Sequence, residues 1–509
     1  MTELKRKLRI AFIHPDLGIG GAERLVVDAA VGLQEQGQDV TIYTSHCDKS
    51  HCFEEVRNGT LKVKVYGDGL PTNVGGRFFI VFANLRQLYL VMKLVLTREI
   101  MRYDLFIIDQ LSTCLPFLHM LGNAKTLFYC HFPDQLLAIR SSFIKKLYRV
   151  SFDIMEQFTM SAADCVVVNS NFTKTVYQKT FTYLKGKVNV VYPCVDLTFG
   201  PIQDKDKELA EVLLNTRDKF YLSVNRYERK KNIELALKAF ALSEEMNNPH
   251  AKLIICGGYD GRVVENVEYL KHLHKISDTL QLSYATIFYP EISNLKDLQT
   301  SDTATKKVIF LTSISTSLKD LLLSKTELLL YTPSFEHFGI VPLEAMKYGK
   351  PVIAVNTGGP LETVEPLIKG KTENIATGWL KTADPEEWSN AINEFKNVRD
   401  QKVVVFSETG PKRVRKLFSR EAMTNSFVEN IKTFIDSKRT SYIWEKLLIV
   451  LFNLLLQVIM SRIFIVKPWT YLLLAVTSTL CFRNIGTGLY WLAVYLSISI
   501  LLRGVSSII

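Results

Sequence analysis

Residues 328–355 read LLLYTPSFEHFGIVPLEAMKYGKPVIAV. Leu328–Tyr331 is a short apolar run, the pattern of a strand buried on both faces. Pro333 and Gly339 punctuate a loop. Pro342 stands where a proline opens a helix. Gly349 and Pro351 stop that helix ahead of a second apolar run, Val352–Val355. Strand, loop, helix and strand in close succession is the repeat of a doubly wound parallel sheet. The reading puts Glu336 in a loop at the carboxyl end of a strand, where open α/β sheets bind ligands, and Glu344 in the helix that follows. Carboxylates so placed accept hydrogen bonds from sugar or ribose hydroxyls. The Glu-x7-Glu spacing alone is close to chance, and the context makes it a site.

The alternation continues in both directions. Upstream strands are expected at Leu8–Ile13, Val40–Tyr43, Leu61–Val65, Leu105–Asp109, Thr126–Tyr129, Cys165–Val168 and Val188–Tyr192. Helical patterns such as Ala22–Gln36 and Phe143–Ser161 lie between them. Asp196–Asp218 is polar and reads as a linker. Strands then resume at Phe220–Val224, Leu253–Cys256 and Val308–Leu311. The fold class is therefore α/β with two Rossmann-like domains, residues 1–195 and 196–436. Residues 437–509 form a hydrophobic, membrane-anchoring tail. In it, Leu447–Met460, Trp469–Phe482 and Ile485–Leu502 are nearly uncharged and are punctuated by Arg462, Lys467, Arg483 and Arg503. Asn294–Lys307 reads as an exposed polar loop. Arg77–Arg98 is apolar but interrupted by Arg86 and Lys93, which fits either an element lying in a membrane surface or a core helix.

The 509 residues carry a net charge of +11. An RNA-binding aromatic motif and zinc-finger spacing are both missing, so the basic excess points to membrane and phosphate partners rather than nucleic acid. The apolar run Ile10–Ile13 is ended by His14 and Pro15, too early for a secretory signal, and the eight cysteines contain no C-x-x-C. Both facts lead to the expectation of a cytosolic, reducing environment, in which the sequons at Asn58 and Asn171 stay unused. His46-Cys47 and His51-Cys52 share one short loop and are read as loop residues, so no metal site is expected.

Three further segments carry chemistry. Arg226 and Lys231 follow the first strand of the second domain, in Ser223-Val-Asn-Arg226-Tyr-Glu-Arg-Lys-Lys231. Cations suit a leaving diphosphate there. Gly18-Ile-Gly20-Gly21 lies between a strand and a helix, where backbone N–H groups approach a phosphate. Gly358-Gly359-Pro360 is a similar loop in the second domain. His131 lies just past another strand, in Tyr129-Cys-His131-Phe-Pro-Asp134.

The segment 328–355 resembles the retaining glycosyltransferases of family 4, which share an E-x7-E motif and the two-domain GT-B fold. The resemblance implies that Glu336 and His131 contact the donor sugar and Glu344 the nucleotide ribose. It also implies that Arg226 and Lys231 hold the diphosphate, that Gly20 and Gly21 line the donor site, and that the backbone of Phe338, Gly339, Ile340 and Val341 lies near sugar and phosphates. Retaining enzymes of this kind lack an evident nucleophile, and the leaving phosphate takes the acceptor proton. Residues 14–26, HPDLGIGGAERLV, and 129–137, YCHFPDQLL, narrow the resemblance. With the apolar tail, they are similar to the alpha-1,3/alpha-1,6-mannosyltransferases of lipid-linked oligosaccharide assembly. That implies GDP-mannose as donor and a dolichyl-diphosphate oligosaccharide as acceptor, at the cytosolic face of the endoplasmic reticulum membrane. It implies no essential cofactor, with Mg2+ at most a stimulant, and association with other mannosyltransferases of the same assembly. The alternatives are a later-acting alpha-1,2-mannosyltransferase and a non-catalytic membrane scaffold. The presence of both glutamates, both cations and the glycine loop argues against the scaffold.

Overall fold

A computed structural model describes residues 4, 6–138, 143–184, 186–214, 217–292, 302–400 and 405–438. The expected membrane tail, and most of the loop expected at 294–307, lie outside the described residues. The first domain carries β1 (Arg9–His14), β2 (Asp39–Thr44), β3 (Lys62–Val65), β4 (Leu105–Asp109), β5 (Lys125–Cys130), β6 (Cys165–Val168) and β7 (Val188–Val190). The second carries β8 (Lys219–Val224), β9 (Ala251–Gly257), β10 (Tyr284–Phe288), β11 (Val308–Thr312), β12 (Leu328–Tyr331), β13 (Val352–Val355) and β14 (Gly378–Lys381). The sheet orders are β3-β2-β1-β4-β5-β6-β7 and β10-β11-β9-β8-β12-β13-β14, with parallel pairing throughout, as in β1 with β4 and β8 with β12. Each sheet reverses its winding beside its first strand, between β1 and β4 and between β8 and β12. Loops diverge at such a point and leave a crevice.

Two strands escape the reading from sequence. Tyr284–Phe288 is an edge strand and only half-buried. Gly378–Lys381 opens on a glycine, a weak strand former. A Cβ there would sit 1.9 Å from the Val352 carbonyl oxygen, so the strand can pair closely only with Gly378 in place. The linker expected at Asp196–Asp218 contains a helix, Asp204–Leu213, whose Leu209, Ala210 and Leu213 join the core of the second domain. Its many charges hide that short apolar face. The helix opened by Pro342 in the reading starts earlier, at Ile340. Pro342 still falls in the first turn, where its missing N–H leaves no bond unmade.

The helix Phe79–Leu96 is long and apolar enough to cross a membrane, but it docks on the first sheet. Arg86 is buried and donates to the carbonyls of Ser45 (3.1 Å) and Gly67 (3.2 Å), and Gln87 to that of Leu111 (2.8 Å). Phe79, Leu85, Met92 and Leu96 remain exposed along its other side. In the helix Phe143–Met160, Lys146 is exposed. Arg149 is buried and pairs with Asp134 at 2.5 Å.

The helix Arg420–Phe434 follows the second sheet in sequence but packs on the first domain. Met423, Phe427, Val428, Ile431 and Phe434 complete a core with Val27, Leu33, Ile42 and Tyr129. Ser419 caps it, its Oγ accepting the Ala422 N–H at 3.1 Å. Gly32 lets it cross the helix Gly21–Glu35 closely, since a Cβ there would lie 2.0 Å from Thr424 Oγ1. Arg420 pairs with buried Asp28 at 3.1 Å. Phe427 is fully buried. Phe427→Ala is expected to cost about 3–5 kcal/mol and Phe427→Leu less than about 1.5 kcal/mol, as read from thermal or denaturant unfolding midpoints of the full chain.

Candidate active site

A cleft of about 990 Å³ lies between the carboxyl ends of the two sheets. The first domain contributes Gly21, His131 and Asn169, and the second Arg226, Lys231, Glu336 and Glu344. Phe338, Gly339, Ile340 and Val341 also line it. Gly20 does not. It sits at the N-cap of the helix Gly21–Glu35, and a Cβ there would meet the Glu23 carboxylate at 2.2 Å.

On the second domain, Glu336 follows Phe335, a non-glycine residue held at φ +54°. Lys231 Nζ donates to Glu336 Oε2 at 2.8 Å. Thr332 fixes that loop by donating to the Lys231 carbonyl at 2.6 Å. Gly339 has φ +85° and precedes the helix Ile340–Lys347, whose first N–H groups form an anion-favouring end. Arg226 is largely exposed and pairs with Glu228 at 3.2 Å. Glu344 is held by Lys319 at 2.7 Å. Lys319 was not singled out from sequence and had no signal there, because it stands in a helix, Thr316–Lys325, and not just past a strand. Gly257 and Gly258 were also missed, although a glycine pair after a strand is the signal that marked Gly20-Gly21. A Cβ on Gly257 would come within 2.0 Å of the Asn225 carbonyl oxygen.

On the first domain, Asp109 ends β4 and is fully buried. Its Oδ1 accepts from His14 Nδ1 at 2.8 Å and its Oδ2 from His131 Nε2 at 3.0 Å. His14 Nε2 stands 3.7 Å from Glu23 Oε1. Burial opposes charge on His14, but Asp109 and Glu23 outweigh it and lift the imidazole from 6.5 to about 10. The domains also touch each other directly. Glu362, past β13, accepts the backbone N–H groups of Asn171 (2.8 Å) and Phe172 (2.9 Å), the Asn171 side-chain amide (2.8 Å) and the Tyr192 hydroxyl (2.9 Å). Ser170 Oγ donates to the His337 carbonyl at 2.6 Å. The His337 ring stacks on Phe132, with centroids 3.7 Å apart.

The raised pKa of His14 is a statement about stability. Its imidazolium stabilises the fold fully below the unfolded pKa of about 6.5, and that contribution is lost as pH rises through about 10. The unfolding midpoint of the native chain is expected to fall between pH 6.5 and 10 more steeply than that of His14→Gln, as followed by a pH series of thermal melts.

Two family models match the chain: Glycosyltransferase Family 4 over residues 19–199 and Glycosyl transferases group 1 over residues 204–413. The chain is 58% identical to alpha-1,3/1,6-mannosyltransferase ALG2 of Saccharomyces cerevisiae over 491 residues, which is 96% of this chain and 98% of the relative. It is 60% identical to the ALG2 of Candida glabrata over 432 residues, 84% of this chain and 93% of that one. Among solved structures, sucrose-phosphate synthase from Thermosynechococcus elongatus superposes with a TM-score of 0.60 at 19% identity, over 85% of this chain and 100% of its own. That likeness speaks to the GT-B fold alone. The fold and the identity over nearly the whole chain together place this protein in the alpha-1,3/1,6-mannosyltransferase family of glycosyltransferases.

Proposed function

We propose that the chain transfers mannose from GDP-mannose to Man1GlcNAc2-PP-dolichol, first in alpha-1,3 and then in alpha-1,6 linkage, giving Man3GlcNAc2-PP-dolichol with retention of configuration. The work is done at the cytosolic face of the endoplasmic reticulum, with no essential metal. The observation that carries the reading is the convergence of Lys231, Glu336 and the helix end at Ile340 on one wall of a cleft whose other wall presents His131. In this reading Arg226 and Lys231 take the diphosphate, and Lys231 leaves Glu336 to do so. The freed Glu336 accepts hydrogen bonds from mannose hydroxyls, and Glu344 from the ribose. The bond from the mannose anomeric carbon to phosphate breaks as the acceptor oxygen bonds on the same face, and the acceptor proton passes to the departing phosphate oxygen. Cations and N–H groups that meet growing negative charge lower the barrier to this step.

A lipid acceptor suits the outer face of the first domain. In the helix Phe143–Met160, Phe143, Leu147, Val150, Ile154 and Phe158 are exposed at helical spacing along one side. The stripe adjoins exposed Phe78, whose ring touches Tyr148 with centroids 6.3 Å apart. An apolar face of this extent fits the acyl boundary of a bilayer.

Incubating the full chain in membranes with GDP-mannose and a lipid-diphosphate Man-GlcNAc2 acceptor, then sequencing the product glycan, is expected to give both alpha-1,3 and alpha-1,6 linkages. No product, or only alpha-1,2 linkages, would sink the reading. Glu344→Ala is expected to raise the donor KM about 10- to 100-fold, the loss of a charge-assisted hydrogen bond. An unchanged donor KM in that variant would remove Glu344 from the donor site. Leu147→Glu with Ile154→Glu is expected to slow transfer to a long-chain acceptor severalfold and to leave a short-chain, water-soluble acceptor unaffected. Equal rates on both acceptors would remove the stripe from the reading.

A further inference from the structure

The chain Glu23–His14–Asp109–His131 crosses the carboxyl ends of three adjacent strands. His14 ends β1, Asp109 ends β4 and His131 follows β5. Asp109 is 3% exposed, and among the described residues its side-chain oxygens accept only from the two histidines. A carboxylate away from water needs donors on its oxygens. His131 Nε2 must therefore carry a proton, because a bare nitrogen at 3.0 Å would set its lone pair against a carboxylate oxygen. That leaves Nδ1 as the other polar atom of the ring, on the ring that lines the cleft. His14 occupies the second oxygen of Asp109, so the carboxylate cannot rotate away from His131 without stranding a buried imidazole. Gln110, the next residue, is held at φ +59°. Such strain persists only where the surroundings impose it.

We propose that Asp109 and His14 are positioning residues for transfer: together they fix the ring plane and tautomer of His131 in the donor cleft. The inference rests on the reading of that cleft as the site of mannose transfer. Neither residue reaches substrate. They act through His131, in the way a buried acid orients a working imidazole. Losing that orientation is expected to reduce turnover, because small displacements of a positioned group cost about 10²-fold.

The test is a double-mutant cycle on the full chain in membranes. Asp109→Asn and His14→Gln are each made in the native and in the His131→Ala backgrounds, and kcat and donor KM are measured with GDP-mannose and the lipid-diphosphate acceptor. In the native background each variant is expected to lower kcat about 10- to 100-fold with little change in donor KM. In the His131→Ala background each is expected to change kcat less than twofold, since the group it orients is gone. Equal losses in both backgrounds would make the two residues merely structural and overturn the proposal, as would unchanged kcat in the native background. If Asp109→Asn does not accumulate as folded protein, His14→Gln decides by the same cycle. Native chain inactive with this donor would fail the functional reading itself, whereas additive losses in an active native chain would fail only the positioning role.

Discussion

A parallel sheet sends every loop that follows a strand to the same end, so two such sheets make one site only if those ends are held face to face. In this chain the hold comes from two places. The helix Arg420–Phe434 leaves the second domain and inserts Phe427 and Ile431 into the core of the first. Glu362 closes the start of the helix Asn171–Thr180 from across the domain boundary, answering two of its unpaired N–H groups. Gly32 is the least conspicuous part of the arrangement. By carrying no side chain it sets how near the returning helix can come.

Within the cleft, cations and carboxylates answer one another: Lys231 with Glu336, Lys319 with Glu344 and Arg226 with Glu228. Paired charges are less costly to keep in a partly buried space than isolated ones. The backbone is strained beside Glu336, at Phe335, and beside Asp109, at Gln110.

Most of this was legible because the features repeat short rules. Apolar strands end in glycine-rich turns, and a carboxylate or cation just past a strand faces the crevice. Glu336, Arg226, Lys231 and His131 all obey this rule, and all line the cleft. Asp109 obeys it too, as the acid that ends an otherwise apolar strand, and its pairing was hidden because its partners come from β1 and the end of β5, far away in sequence. Lys319 could not be read, since its meaning depends on the packing of one helix beside another. The helix Arg420–Phe434 could not be assigned to its core from pattern alone: periodicity says that a face is apolar and leaves open which domain it covers. Gly20 shows the opposite limit, a glycine picked for phosphate approach that leaves room for the Glu23 side chain.

The Asn171 side chain carries a consequence for the joint between the domains. Asn171 lies in an acceptor sequence for N-linked glycans, and its amide nitrogen donates to Glu362 and to Tyr192. A glycan on that nitrogen would replace one of its two hydrogens and so remove one of these two bonds at the joint between the domains.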